Sequence, residues 1–167
     1  VTSTPRLELL GPQHARALER FERDNRAFFA ARIGDRGDGF FERFDELLAE
    51  RVDENRCGTS LLCVLVLDDE IVGRVNVLDL DRPDGAELGY RVAEHAQGRG
   101  LATAGVTDAL AAASARGVRT VTARVFVDNT ASRRVLEHCD FEPTGPVPSP
   151  DGSPREFVGY RRQLPPP

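Results

Sequence analysis

Ser60 to Leu67 reads SLLCVLVL, an apolar run of strand length with no polar residue after Ser60. Such a run fits a buried strand. It is far too short for a membrane helix, which needs about 20 apolar residues. Asp68-Asp69-Glu70 is a turn. Beyond it Ile71 to Leu78 alternates Ile71, Gly73, Val75 and Val77 against Arg74 and Asn76, so the two runs form a hairpin. Arg82-Pro83-Asp84-Gly85 is a second turn, and Ala86 to Ala93 (AELGYRVA) is the third strand of a meander.

The pattern then changes. Leu101 to Arg116 is alanine-rich, with Leu101, Val106, Leu110 and Ala113 on one side, and Gly117 stands where a helix C′ glycine belongs. Arg119 to Val127 alternates as a strand. Asn129 to His138 is a short helix with Asn129 as its N-cap. Phe141 begins another strand, residues 145–154 (GPVPSPDGSP) are a proline-rich loop, and Glu156 to Leu164 is the last strand. Upstream, Arg6 to Leu10 is a short strand closed by Gly11, and Pro12 suits a first helical turn. Leu18, Phe21 and Phe28 give that helix an apolar side. Residues 34–39 (GDRGDG) read as a mobile loop that does not pack, and Phe40, Phe41, Phe44, Leu47, Leu48 and Val52 mark a second helix. The order predicts a single-domain α/β fold over 1–167 with a mixed sheet, antiparallel first, then a strand–helix–strand crossover. The tail 165–167 is expected to be disordered.

The 167 residues fit one domain. The formal charge of −5 argues against a nucleic-acid partner, which requires a basic face. It is compatible with a cationic partner. Cys57, Cys63 and Cys139 form no CxxC pair and read as reduced, buried thiols. No secretory leader pattern or membrane span is visible, so the reading is a soluble, cytoplasmic protein, monomer or homodimer. No His, Cys or carboxylate spacing suggests a metal site, and no GxSxG elbow is present.

The sharpest local signal is Gln97-Gly98-Arg99-Gly100-Leu101-Ala102, set between a strand and the start of the alanine-rich helix. A helix start carries unpaired N–H groups and about half a positive charge. Glycines at 98 and 100 let a ligand approach the backbone, so the amides can converge on a phosphate. The spacing is neither GxGxxG nor a P-loop, and a glycine-rich turn without ligand remains the plain alternative.

QGRGLA resembles the Q/R-x-x-G-x-G/A signature of the GNAT superfamily of N-acetyltransferases. Asn129-Thr-Ala-Ser132-Arg-Arg-Val-Leu136-Glu-His-Cys-Asp140-Phe141 resembles the superfamily's Asn-led helix ending in Gly-Phe. Ala86-Glu87-Leu88-Gly89-Tyr90 resembles the strand before the loop. The wording is most similar to the ribosomal-protein alanine N-acetyltransferase (RimJ/RimL-type) branch. The resemblance implies a central sheet of about seven strands with about four helices, splayed at the cofactor site. It implies acetyl-CoA as co-substrate and no metal. Main chain near Val92 would hold pantetheine. Gln97, Gly98, Arg99, Gly100, Leu101, Ala102 and Thr103 would hold the pyrophosphate, and Asn129 would reach the pantetheine arm. Two positions depart from the pattern: Leu136 stands where many members carry a tyrosine that protonates the leaving thiolate, and Asp140 stands where glycine is usual. Ser132, one turn after Asn129, is the alternative donor to the thiol. Asp140 is compatible with a left-handed backbone.

The resemblance also makes Glu87 the first candidate for general base, directly or through water, beside the plain reading of a surface glutamate paired with an arginine. His95 is a weaker candidate near the cofactor, and His14 and His138 read as structural. An α-amine, with a pKa near 7.7–8.0, is roughly one-third neutral at pH 7.5, against about one lysine in a thousand. A protein or peptide N-terminus is therefore the favoured acceptor, in a pocket built by residues 26–40 and the 145–154 loop. The alternatives are a small-molecule amine acetyltransferase and a non-catalytic coenzyme-A-binding module.

Overall fold

A computed structural model describes residues 3–150 and 152–166. The strands are β1 (Arg6–Leu9), β2 (Leu61–Leu67), β3 (Glu70–Leu78), β4 (Ala86–Val92), β5 (Thr120–Phe126), β6 (Glu142–Val147) and β7 (Phe157–Gln163). They form one sheet in the order β1-β2-β3-β4-β5-β7-β6. Every neighbouring pair is antiparallel except β4 and β5, whose parallel pairing needs a crossover. The crossover is α5 (Leu101–Ala115). Gly105 lets this helix lie close to the sheet: a Cβ there would stand 3.1 Å from the Val75 side chain.

Strand alternation divides the core into two layers. Leu61, Cys63, Val75, Val77, Ala86 and Leu88 turn towards α5 and towards α6 (Thr130–His138), meeting Val106, Leu110 and Leu136. On the other face Leu62, Val64 and Val66 meet Leu18, Phe21, Phe29, Phe44 and Leu48. β2 is buried along its whole length because both of its faces are covered.

The N-terminal layer holds four helices where the sequence pattern indicates two: α1 (Ala15–Asp24), α2 (Arg26–Ile33), α3 (Asp38–Glu42) and α4 (Phe44–Cys57). Asn25 makes the first break. Its Nδ2 donates to the Phe21 carbonyl at 2.9 Å, and its Oδ1 accepts the Glu94 N–H at 2.9 Å. Residues 34–36 are exposed, as the loop reading expects, but ion pairs tie the segment down. Arg36 reaches the buried Glu22, and Arg26 pairs with both Asp35 and Asp38 at 2.8 Å.

The proline-rich loop is also shorter than expected, because β6 runs through Pro143 and Pro146 to Val147. β6 is an edge strand, where a missing N–H costs no ladder bond. The expectations at the helix ends hold. Gly117 has φ +92°, and Asp140 has φ +57°. Of the tail, the Pro165 carbonyl accepts from Ser114 Oγ at 2.7 Å and Arg119 Nη1 at 2.8 Å, while Pro167 lies outside the described residues.

Candidate active site

β4 and β5 pair only through Ala86–Val121, Glu87–Thr122 and Leu88–Ala123. β4 stays paired with β3 as far as Val92, and β5 stays paired with β7 as far as Phe126. Gly89 to Val92 therefore face a gap in the middle of the sheet. The Ala93 N–H donates to Val72 on the β3 side at 2.8 Å. Antiparallel alternation then turns the N–H groups of Tyr90 and Val92 towards the gap. A cleft of about 300 Å³ occupies it, bordered by Tyr90, Arg91, Val125, Asn129, Ser132 and Leu136. A smaller cavity of about 110 Å³ shares Tyr90, Asn129 and Ser132 and leads past Val92 to Gln97 and Ala102.

The turn after β4 is built by its glycines. Gly98 and Gly100 have φ of +71° and +72°, a left-handed conformation that costs other L-residues about 1–2 kcal/mol. A Cβ at either would meet no protein atom within 4 Å, so both face open space in front of α5. The Ala104 N–H is the first to find a helical acceptor, Gly100 O at 3.0 Å. The amides of Leu101, Ala102 and Thr103 thus remain for a ligand. Gln97 turns back instead, with Nε2 donating to the Val92 carbonyl at 2.7 Å. Arg99 is exposed beside the turn. Converging amides, a helix N-terminus and a nearby guanidinium fit a pyrophosphate.

Across the gap, Asn129 caps α6: its Oδ1 accepts the Ser132 N–H at 3.2 Å, leaving Nδ2 for the cleft. The Tyr90 hydroxyl lies 2.9 Å from the Ser132 carbonyl, to which it can donate, and 2.7 Å from Ser132 Oγ, a contact in which either oxygen can be the donor. Burial raises the Tyr90 phenol above its ordinary value, only partly offset by the bond to Ser132. It therefore stays protonated and can donate. The family pattern places a tyrosine on α6 where this chain has Leu136, and nothing in that pattern marks Tyr90. The signal was present: alternation along β4 puts Leu88, Tyr90 and Val92 on the face opposite Glu87.

Glu87 is placed differently. Its carboxylate accepts from Arg124 Nη2 at 2.6 Å, and Arg124, rather than Glu87, borders the cleft. The face of the sheet that carries Glu87 is rich in guanidinium groups. Glu22, 1% exposed, is bonded by Arg74 at 2.9 Å, Arg91 at 3.1 Å and Arg36 at 3.2 Å. Burial would raise the Glu22 carboxyl, but Arg91, Arg36 and Arg74 outweigh it and hold it below the ordinary value. Burial pushes Arg91 down to about 10; it stays charged at neutral pH. The rings of Phe29 and Phe40 lie 4.8 Å and 4.5 Å from the Arg91 and Arg36 guanidinium carbons, within cation–π range.

The remaining candidates lie elsewhere. His95 sits 3.6 Å from Glu70, away from the cleft. His14 is buried, accepting the Gly11 N–H and bonded to Glu8, and His138 is bonded to the Arg134 carbonyl. Cys63 and Cys139 are buried, but Cys57 is exposed at the end of α4. Burial pushes the Cys63 thiol up to about 11, which does not suit a nucleophile. Among the described residues no cluster of His, Cys, Asp or Glu is placed to hold a metal ion, and no helix is long and apolar enough to cross a membrane.

Residues 7–142 match the family model described as an acetyltransferase (GNAT) domain. No curated protein matches the chain in sequence. Solved structures are similar over nearly its whole length. The ribosomal-protein-S5-alanine acetyltransferase from Vibrio fischeri is 20% identical with a TM-score of 0.87, covering 98% of this chain and 97% of that one. RimJ from Mycobacterium smegmatis, solved with a CoA-disulfide, is 25% identical with a TM-score of 0.84, covering 95% and 81%. The microcin C7 self-immunity acetyltransferase MccE, in complex with acetyl-CoA and AMP, is 17% identical with a TM-score of 0.81, covering 96% and 92%.

Proposed function

The chain belongs to the acetyltransferase (GNAT) family, and from that membership we propose that it uses acetyl-CoA to acetylate a primary amine bound in the β4–β5 gap, with 1–167 acting as one domain. The observation that carries this reading is the early end of β4–β5 pairing at Leu88, directly upstream of the Gln97–Thr103 turn. In this reading the amides of Gly98 to Thr103, with Arg99, hold the pyrophosphate. The gap-facing N–H groups of Tyr90 and Val92 and the Asn129 amide hold the pantetheine arm, and Gln97 braces the Val92 carbonyl. The thioester then lies beside Tyr90 and Ser132.

Acetyl-CoA supplies the activated acetyl group. The amine nitrogen bonds to the acetyl carbon, the carbon–sulfur bond breaks, the nitrogen loses a proton and the sulfur gains one. The Tyr90 hydroxyl turns its one proton to Ser132 Oγ, 2.7 Å away, and so frees the serine proton to hydrogen-bond the departing sulfur. Glu87, held by Arg124, positions that guanidinium at the cleft wall. It becomes a base only by leaving Arg124. An α-amine tolerates this arrangement, since roughly one-third of it is neutral at pH 7.5. This favours a protein or peptide N-terminus over an internal lysine. The similarity to the ribosomal-protein-S5-alanine acetyltransferase fits that preference, and the similarity to MccE keeps a small-molecule amine as the second reading.

Release of free thiol from acetyl-CoA, measured across amines and peptide N-termini, tests the reading. Amine-dependent release is expected. Coenzyme A binding without any amine-dependent release would leave a binding module instead.

A further inference from the structure

The buried polar atoms on the acceptor side of the sheet are not all satisfied. Arg74 Nε and Asn76 Oδ1 are both buried without a hydrogen-bond partner. Native proteins seldom leave such atoms unpaired without a reason in function. The two residues lie two positions apart on β3 and so share a face. The Arg74 side chain is only 8% exposed, with Nη1 on Glu22. Arg74, Asn76 and Arg36 border both the cleft in the gap and an adjoining pocket of about 220 Å³. The pocket's other walls include Leu10, Leu18, Phe40 and Phe44. Asn76 pairs with Gly89, the first β4 residue beyond the β5-paired segment. The backbone of β3 is therefore one strand removed from the gap, and the Arg74 and Asn76 side chains border the cleft that fills it.

The local charge reinforces this. Glu22 is a single carboxylate among three guanidinium groups, Arg36, Arg74 and Arg91, which leaves a positive excess at this wall. Glu87 and Arg124 cancel each other. The chain's net charge of −5 is thus a poor guide to the ligand: the cleft it surrounds is positive.

We propose that the acceptor is a primary amine bearing a carboxylate a few ångströms from its nitrogen and an apolar substituent. The carboxylate accepts from Arg74 Nε and Arg36, an N–H of the ligand donates to Asn76 Oδ1, and the apolar group enters the pocket beside Phe40 and Phe44. The proposal rests on the acetyl-transfer reading above and names its substrate class. A free amino acid and a peptide with an acidic residue next to its N-terminus both present this chemistry.

The test is calorimetric binding of matched pairs to the whole protein: L-phenylalanine against phenylalaninamide, and a Ser-Asp-Phe peptide amide against Ser-Asn-Phe. At least one acid should bind tenfold or more tightly than its uncharged partner, and which pair does so identifies the source. Arg36→Gln, at an exposed position outside the thioester end, should shrink that ratio while leaving the melting-temperature rise with coenzyme A intact. Asn76→Leu should weaken both members of the favoured pair. If neither acid binds better than its amide, the proposal is overturned, whether or not coenzyme A binds. Absence of coenzyme A binding would instead defeat the acetyl-transfer reading, and the acid-to-amide ratio would still decide this one.

Discussion

Ser132 and Glu22 carry the sharpest consequences of single side chains. A hydrogen bond to a charged partner contributes about 1.5–3 kcal/mol, which is about ten- to a hundredfold in rate. Ser132→Ala is therefore expected to lower kcat by that factor with little change in acetyl-CoA affinity, and Tyr90→Phe by somewhat less, in a thiol-release assay. Glu87→Gln discriminates between roles. A general base contributes about a hundredfold or more, whereas a residue that only positions Arg124 should cost less than tenfold. Glu22→Gln leaves the buried Arg74 and the partly covered Arg91 and Arg36 without their carboxylate and should destabilise the fold by about 3–5 kcal/mol, measured by denaturant unfolding. The same residue sets an acid limit. The Glu22 carboxyl is held below its ordinary 4.5, so its contribution is complete above that value. It is lost as pH falls through the lower folded value, because the unfolded chain then binds the proton more readily. Thermal unfolding followed from pH 6 downward should steepen in wild type below about pH 4.5 and less so in the Gln variant.

At the scale of elements, the β4–turn–α5 unit was legible because its determinants are local: a strand pattern, two glycines and an alanine-rich helix adjoin in the chain. Gly100→Glu tests it. The left-handed backbone at φ +72° makes the variant somewhat less stable, by about 1–2 kcal/mol, but still folded. The carboxylate placed before α5 should abolish the rise in melting temperature that acetyl-CoA gives wild type. An undiminished rise would refute the pyrophosphate assignment. Other elements were misread for physical reasons. Asn25 splits one apolar helical pattern in two by bonding to Glu94 N–H, 69 positions away, a partner no local window contains. Residues 145–147 of β6, with Pro146 among them, read as loop because sequence does not disclose that the strand lies at an edge. The arginine wall was hidden in the same way, since Arg74 meets Glu22 across 52 positions and Arg91 across 69. Each of those residues alone looks like an ordinary surface charge.

Across the whole molecule, the gap in the sheet lies between the two core layers, with α5 and α6 on one side and α1, α2 and α4 on the other. In the proposed reading the cofactor and the acceptor enter from different sides and meet at Tyr90 and Ser132, as direct transfer in a ternary complex requires. A ligand that binds only the folded state stabilises it by mass action, by about 2.7 kcal/mol at a hundredfold excess over Kd, so acetyl-CoA should raise the melting temperature of wild type. The most direct test of acetyl transfer is mass spectrometry of peptides incubated with the protein and acetyl-CoA. One peptide starts with Ser or Ala, has a free N-terminus and carries an acidic second residue. The other is the same peptide with a blocked N-terminus and one internal lysine. The account predicts a single added acetyl group on the free α-amine, matched by an equal amount of released thiol, and none on the blocked peptide. Preferential labelling of the lysine, or coenzyme A binding with no acetyl transfer to these peptides or to free amino acids, would contradict it.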